Sequence, residues 1–308
     1  MGPAAIRSIL VATDLSAGSD TLVRAAAAIA AVVHAKLHII HAFDFQPLPY
    51  IELSDESLPG FARRLAEAEQ ALRAQVHRSV PDPELVASRH VAVYVAHGAI
   101  LDRADAVAAD LIVLGRHRRR SLAARFLGST ADRVVRTAAV PVLIIGDGLS
   151  LPLRRVVAPT DLSEAARAGL DHALAWAATL GAPADGEPRT ELRVLHVAPV
   201  AYGISGRAAI DERTIAAVIH SEVEAALERV GGASGVERIE DIRWSNEPAA
   251  EIVRYAEQEK ADLLALGTHG RGAIQRALIG SVASAVARRA PCPVLLVSPA
   301  LWRTRQEG

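Results

Sequence analysis

Residues whose types and spacing suggest chemistry lie at three points in the second half of the chain. These are Pro159-Thr160-Asp161, the run Gly267-Thr268-His269-Gly270-Arg271-Gly272, and Gly280-Ser281, which follows Gly270 after nine intervening residues. Glycine leaves no side chain between backbone N–H groups and an anion, and it can adopt the positive φ that a concave loop needs. The glycine run therefore predicts a loop that could hold a phosphate.

The other two points would complete such a site. If Gly280-Ser281 opens a helix, its free N–H groups, its partial positive charge and the Ser281 hydroxyl all favour a phosphate. Asp161 could accept a ribose hydroxyl or hold a metal ion bridged to phosphates. Each feature alone has a plainer interpretation, in which the glycines turn the chain and Asp161 caps a helix. Together they predict nucleotide binding.

The elements that must position these residues alternate along the chain. Short apolar runs predict strands at 7–13, 37–43, 90–95, 110–115, 141–145, 154–160, 192–198, 237–244, 262–267 and 293–297. Stretches at helical spacing predict helices at 18–34, 62–78, 98–108, 128–138, 164–180, 208–230, 248–259 and 280–290, with Ser163 at a helix start. Nearly continuous apolar strands are typical of parallel sheets covered on both faces. In such sheets ligands bind beyond the carboxyl ends of the strands.

The same plan occurs twice. ILVATDLS at 9–16 matches VVAPTDLS at 156–163, and DLIVLG at 110–115 matches DLLALG at 262–267. We therefore expect two repeated doubly wound α/β domains, 1–148 and 149–308, each with a five-stranded parallel sheet and about four helices. The Pro- and Gly-bearing segments 46–60 and 199–206 are expected to be surface loops near the carboxyl edges of the sheets.

The pattern G-x2-G-x9-G-[S/T], with Asp ending the first strand and Pro-Val-Leu opening the fifth, resembles the universal stress protein family over essentially all of both halves. The resemblance implies a sheet order of 3-2-1-4-5 and, in one branch of the family, ATP binding. At the adenosine it implies Pro159, Thr160, Asp161 and the backbone of Val197. Around the phosphates it implies Gly267, His269, Gly270, Arg271, Gly280, Ser281 and Val282.

The first half departs from this pattern, because Arg118 stands where the second glycine belongs. A left-handed conformation at a non-glycine residue costs roughly 1–2 kcal/mol, and about 1.4 kcal/mol is tenfold in affinity. Arg116, Arg118, Arg119 and Arg120 have the opposite effect, since guanidinium groups bind phosphates well. We expect the steric effect to dominate and the first half to bind ATP weakly or not at all. The plainer interpretation is a solvated basic loop or a docking patch for an acidic partner.

Composition excludes several classes. The 34 basic residues nearly balance the 35 acidic ones, so nothing draws the chain toward nucleic acid or an anionic membrane. The amino terminus is expected to be neither a signal peptide nor a spanning helix. The single cysteine, Cys292, excludes an intrachain disulfide and suits a cytoplasmic location, and it is expected to be a buried filler.

Catalytic and metal interpretations are disfavoured. The only lysines, Lys36 and Lys260, precede strands at the edge opposite the ligand, and no G-x4-G-K-[S/T] loop occurs. His34, His38 and His41 suggest a metal site, but His38 and His41 would point to opposite faces of one strand. Solvated or hydrogen-bonded histidines are the favoured interpretation, and no catalytic residue or metal ligand is predicted.

The leading hypothesis is a non-catalytic ATP-binding protein, with or without Mg²⁺, that acts in a stress response through one site in the second half. An alternative is a scaffold without a nucleotide, in which the last strands PVLII and PVLLV pair the two halves as an internal pseudo-dimer or pair two chains as a homodimer. A slow ATP hydrolase is a third hypothesis.

Overall fold

A computed structural model of the chain describes residues 5–43, 58–93, 95–116, 128–182, 189–200, 212–268 and 279–298. The first half contains β1 (Ser8–Thr13), α1 (Ser19–Val33), β2 (Lys36–Ala42), α2 (Leu58–Ser79), a 3₁₀ turn (Pro83–Leu85), β3 (Val86–Ala92), α3 (Ala96–Ala106), β4 (Leu111–Gly115), α4 (Ser129–Thr137) and β5 (Val142–Ile145). The second half contains β6 (Arg155–Thr160), α5 (Glu164–Leu180), β7 (Thr190–Ala198), α6 (Glu212–Val230), β8 (Val236–Trp244), α7 (Pro248–Gln258), β9 (Leu263–Gly267), α8 (Ser281–Arg289) and β10 (Val294–Val297).

The strands form one ten-stranded sheet in the order β3-β2-β1-β4-β5-β10-β9-β6-β7-β8. Each half has the expected order 3-2-1-4-5, with parallel neighbours throughout. The halves meet where β5 and β10 pair antiparallel, with Leu143 opposite Leu295. Because this joint is antiparallel, the carboxyl edge of each half continues into the amino edge of the other.

Helices cover both faces of the sheet, which confirms the doubly wound α/β fold. α1, α2, α5 and α6 pack on one face, and α3, α4, α7 and α8 pack on the other. The central strands are buried on both faces; Leu111–Leu114, for example, are at most 3 % exposed. This burial explains why their sequences are continuous apolar runs rather than alternating ones.

Two predictions differ from the structure, one at an edge strand and one at the start of a helix. The strand predicted at 90–95 lies at Val86–Ala92. It is an edge strand with several exposed side chains, so it lacks the apolar run used to locate strands. Residues 58–60, expected in a loop, begin α2, because proline and glycine are tolerated in the first turn of a helix. Apart from 199–200, the rest of the expected loops, 46–57 and 201–206, lies outside the described residues.

Candidate functional site

The strand order of the second half reverses between β6 and β9, and Pro159 ends the pairing of these two strands early. Arg154 O accepts a hydrogen bond from Glu191 N of β7, and Arg155 O accepts one from Asp262 N just before β9. Because the backbone groups of successive strand residues point to alternate sides, the backbone of residue 159 points toward β9, as that of Arg155 does. Proline has no N–H to donate there. The β6–β9 ladder accordingly ends at Val157–Leu264, whereas the equivalent β1–β4 ladder continues to Ala12–Leu114.

The turn after β6 is held by its own side chains. Thr160 Oγ1 accepts from Leu162 N at 3.0 Å, and Asp161 Oδ1 accepts from Ser163 N at 3.0 Å. Leu162 has a φ of 64°, the left-handed conformation that such a tight turn imposes. Ser163 Oγ accepts from Ala166 N, so Ser163 is the N-cap of α5, as predicted, and Asp161 is not. The Asp161 carboxylate lies at the carboxyl end of β6.

The end of β9 and the start of α8 are in direct contact. Gly280 N donates to Thr268 O at 2.6 Å, and Thr268 N donates to Val297 O at 2.9 Å. Residues 269–278, including the predicted site residues His269, Gly270 and Arg271, lie outside the described residues. The two ends of that loop are therefore fixed against each other at the carboxyl edge of the second half.

Gly267 has a packing role that the sequence reasoning did not find. A Cβ at Gly267 would lie 2.2 Å from Ala165 O at the start of α5. A Cβ at Gly169 would lie 2.8 Å from Gly267 N. The two glycines allow α5 to approach the end of β9 closely, and the isolated glycine inside a helical pattern at 169 was the available signal.

The start of α8 offers backbone donors. Gly280 is the N-cap and supplies no side-chain acceptor to the first-turn amides, which begin at Ser281 and Val282. Gly280 has a φ of −56°, so its backbone does not require glycine, whereas its first-half counterpart Gly128 has a φ of 84°. Arg288 and Arg289 lie in the last turn, where positive charge complements the helix dipole.

Val197 lies near the end of β7, beside the end of β6. Thr160 pairs with His196, whose Nδ1 lies 2.8 Å from Thr160 O. Val197 is partly buried against the core on the face that carries α7 and α8. Pro159, Thr160, Asp161, Val197, Gly267, Gly280, Ser281 and Val282 thus belong to strand ends or to the helix start at one sheet edge.

The corresponding edge of the first half is occupied by a contact between the halves. Arg116, which follows β4, donates from Nη1 to Ala290 O at the end of α8, at 2.7 Å. Its guanidinium lies against Gly146, where a Cβ would come within 2.2 Å of Nη2. Arg118, Arg119 and Arg120 lie outside the described residues.

The histidines His38 and His41 form hydrogen bonds within the fold, and the single cysteine is buried in it. His38 Nδ1 lies 2.8 Å from Ser88 Oγ, and His41 Nδ1 lies 2.9 Å from Thr13 O. Cys292 is buried, as predicted, and burial raises the pKa of its thiol to about 12. Across the ranges that the structure describes, no three His, Cys, Asp or Glu side chains are grouped to hold a metal. None of the helices described is both long and apolar enough to cross a membrane.

A cavity of about 380 Å³ lies elsewhere, between the two halves. It is lined by the segment before β1, the starts of β4 and β5, the end of α1 and the second part of α5. Its walls are mainly apolar and include Trp176, and they contain none of the predicted site residues.

Comparison with known proteins identifies the class that this fold and site define. The model of the universal stress protein family matches residues 5–146 and again residues 152–298. The chain therefore belongs to the universal stress protein family and contains two copies of its domain.

Some relatives match the chain over nearly its whole length, and others match one half of it. The chain is 28% identical over 307 residues to a universal stress protein of Mycolicibacterium smegmatis, covering 94% of this chain and 97% of that one. It is 33% identical over 157 residues to a universal stress protein of Methanocaldococcus jannaschii, covering 50% of this chain and 86% of that one. A crystal structure of a universal stress protein from Archaeoglobus fulgidus has a TM-score of 0.62 at 21% identity, covering 95% and 98% of the two chains, and it supports the fold alone.

Proposed function

We propose that the second half binds one adenine nucleotide, ATP, at the carboxyl edge of β6, β7 and β9. The observation that carries the proposal is the hydrogen bond from Gly280 N to Thr268 O. It joins the ends of the glycine loop beside the uncapped start of α8, where backbone donors and the helix dipole favour a phosphate. The early end of the β6–β9 ladder supports the proposal, because we expect the unpaired ends of these strands to leave a crevice next to these donors.

The proposed roles follow the positions of the residues. Pro159, Thr160, Asp161 and the backbone of Val197 contact the adenosine. The loop residues Gly267, His269, Gly270 and Arg271, with Gly280, Ser281 and Val282, surround the phosphates. Asp161 is the carboxylate at this edge suited to a ribose hydroxyl or to a Mg²⁺ ion bridged to the phosphates, an oxygen ligand of the kind that this ion prefers.

The proposed role is regulatory rather than catalytic. Lys36 and Lys260 lie at the amino ends of β2 and β9, so neither is placed to stabilise charge on a transferring phosphate. Bound ATP instead links the end of β9 to α8 and shifts the chain toward a conformation that a partner recognises in a cytoplasmic stress response. Any hydrolysis is expected to be slow.

The first half is proposed not to bind ATP. Arg116, the first arginine of its loop, already donates to Ala290 O of the second half. Its guanidinium would have to leave this contact to reach a phosphate. The contact of Arg116 with Ala290 therefore weakens ATP binding in addition to the steric effect expected of Arg118.

Titration calorimetry with ATP and Mg²⁺ tests the proposal. The wild type is expected to bind about one nucleotide per chain, and Gly270→Arg, which copies the first half, is expected to weaken binding at least about tenfold. Gly60→Arg is the matched control, because a Cβ at exposed Gly60 on α2 meets nothing within 4 Å. Equal affinity of the wild type and Gly270→Arg, or two equivalent sites per chain, would contradict the proposal.

A second candidate is a scaffold that works through sheet pairing without a nucleotide. The pairing of β5 with β10 into one sheet favours it. The two candidates differ in a simple measurement on protein purified without added nucleotide. An absorbance excess at 260 nm and a melting temperature raised by ATP support nucleotide binding, and neither effect is expected of a pure scaffold.

A further inference from the structure

A group of basic and polar side chains lies on the face of β2 and β3 that packs under α3. Arg103 Nη2 donates to Ser88 Oγ at 2.7 Å, and Ser88 Oγ lies 2.8 Å from His38 Nδ1. His90 follows Ser88 by two residues and so lies on the same face. We call Arg103, Ser88, His38 and His90 the α3 cluster.

The α3 cluster contains no carboxylate. Alternation from His38 gives the side chains that share this face, and the packed side of α3 is read from its buried residues. They are Ser8, Leu10 and Ala12 from β1; Lys36, His38, Ile40 and Ala42 from β2; Ser88, His90 and Ala92 from β3; and Ala99, Ile100, Arg103 and Ala104 from α3. None of them is acidic. Asp102 and Asp105 of α3 are exposed, and the Asp110 carboxylate just before β4 accepts hydrogen bonds from Arg7 N and Ser8 N.

The surroundings of His38 and His90 disfavour the protonated, positively charged form of each imidazole. Burial lowers the pKa of both His38 and His90, and the charge of Arg103 lowers each pKa further. Among the described residues Arg103 forms no ion pair to offset this charge. A bound anion would remove the repulsion.

The equivalent place in the second half carries its own acids. Leu10 and Val157 are equivalent positions in the two halves. Leu10 pairs with His38 and Val157 pairs with Arg193, so His38 is equivalent to Arg193. Two residues earlier on the same strands, Lys36 is equivalent to Glu191. His90 pairs with Ile40, and Asp241 pairs with the equivalent residue Leu195, so His90 is equivalent to Asp241.

These acids neutralise the arginine of the second half. Arg193 lies 2.9 Å from Glu191, 3.3 Å from Glu259 and 3.7 Å from Asp241. The hydroxyl of Tyr255, the counterpart of Arg103, donates to Asp241. On the same face of the sheet, the arginine of the second half is therefore neutralised by acids, whereas the α3 cluster of the first half has no acid that neutralises Arg103.

We propose that the α3 cluster binds a phosphate-class oxyanion that occupies the place of the missing carboxylates. A guanidinium, a hydroxyl and two imidazoles provide donors of the kind that a tetrahedral oxyanion accepts. Lys36, two residues before His38 on the same face, adds positive charge at the rim. β3 is an edge strand of the sheet, which leaves the cluster accessible from solvent. The proposal does not rest on the nucleotide site, which belongs to the other half.

Histidine-selective NMR on the full chain tests this, with inorganic phosphate as the probe and chloride at equal ionic strength as the reference. Phosphate is expected to raise the pKa of His38 and His90 in a saturable manner, because a bound anion stabilises the charged imidazoles. Arg103→Gln is expected to weaken binding about tenfold or more, through the loss of a charged donor. His90→Asp, which copies the second half, supplies an internal acid and is expected to abolish binding while the protein stays folded.

The controls separate the cluster from general electrostatics. Arg63→Gln removes an exposed arginine on α2 and is expected to leave phosphate binding unchanged. Gly270→Arg is also expected to leave it unchanged, so the nucleotide site and the α3 cluster can fail independently. Glycerol phosphate in place of inorganic phosphate distinguishes an esterified phosphate from the free anion, and saturable binding of either supports the proposal. No response of His38 and His90 to either, or wild-type affinity in folded His90→Asp, would overturn it.

Discussion

At the scale of single residues, the contact between Gly267 and α5 gives this glycine a packing role in addition to the phosphate-binding role proposed for it. Gly267 ends β9, and its missing Cβ leaves room for Ala165 O. The sequence reasoning assigned Gly267 to the phosphate loop alone. Gly169 inside a helical pattern signals a close approach, but the sequence does not give its partner, because Gly267 is about a hundred positions away and meets α5 only in the folded chain.

Gly267→Ala is expected to destabilise the protein by about 1–3 kcal/mol, because the new methyl group would overlap a helix carbonyl that cannot move independently. Gly60→Ala is the matched control: it lies in α2 with open space around it, and is expected to be neutral or to stabilise by up to about 1 kcal/mol. Urea denaturation gives both values. Equal stabilities of the two variants would show that Gly267 is not tightly packed.

Other residue-level features were predictable because their causes are local. Ser163 was recognised as a helix start from its neighbours, and it caps α5. Cys292 was recognised as buried from its place at the start of an apolar strand. The positions of Thr160 and Asp161 at a strand end followed from the apolar run before them.

At the scale of elements, Pro159 separates two strands that are paired for longer in the other half. The β6–β9 ladder ends at Val157–Leu264, and the β1–β4 ladder continues for two more pairs. A missing N–H on one residue therefore accounts for the shorter ladder beside the proposed site.

Pro159→Ala is expected to extend the β6–β9 ladder, since Ala12 at the equivalent position is paired. The new amide at residue 159 should be protected from hydrogen exchange. If the crevice narrows as a result, affinity for ATP should fall several-fold, which calorimetry measures. A freely exchanging amide at residue 159 would show that Pro159 does not limit the ladder.

The strand positions are predicted to within about two residues, with the exception of β3. The central strands were placed to within about two residues, because both of their faces are apolar. The edge strand β3 was placed about four residues late, because its exposed positions interrupt the apolar pattern. The start of α2 was missed because proline and glycine occur in its first turn.

At the scale of the whole molecule, the two halves form one sheet, because β5 of the first half pairs with β10 of the second at its centre. β5 and β10 are mutual partners, so the edges left along the sheet are β3 and β8. The repeat predicted two domains of one fold from sequence alone. The asymmetric contact made by Arg116 could not be predicted, because it depends on how the halves meet.

The Arg116 contact predicts an energetic coupling across the halves. Arg116→Ala removes a charged donor to Ala290 O, and Gly146→Ala displaces the same guanidinium, so each is expected to cost about 1–2 kcal/mol. The double variant should cost little more than either single variant, a coupling energy of about 1 kcal/mol in a double-mutant cycle. Fully additive losses would show that the two sites act independently.

The central claim is that one nucleotide binds at the carboxyl edge of the second half. Amide hydrogen exchange with and without ATP and Mg²⁺ tests it most directly, because both halves are observed in one sample. The account predicts slower exchange in peptides covering 263–268 and 280–285, and no change in their first-half counterparts 111–116 and 128–133. Protection confined to the first half, or none in either half at saturating ATP, would contradict it.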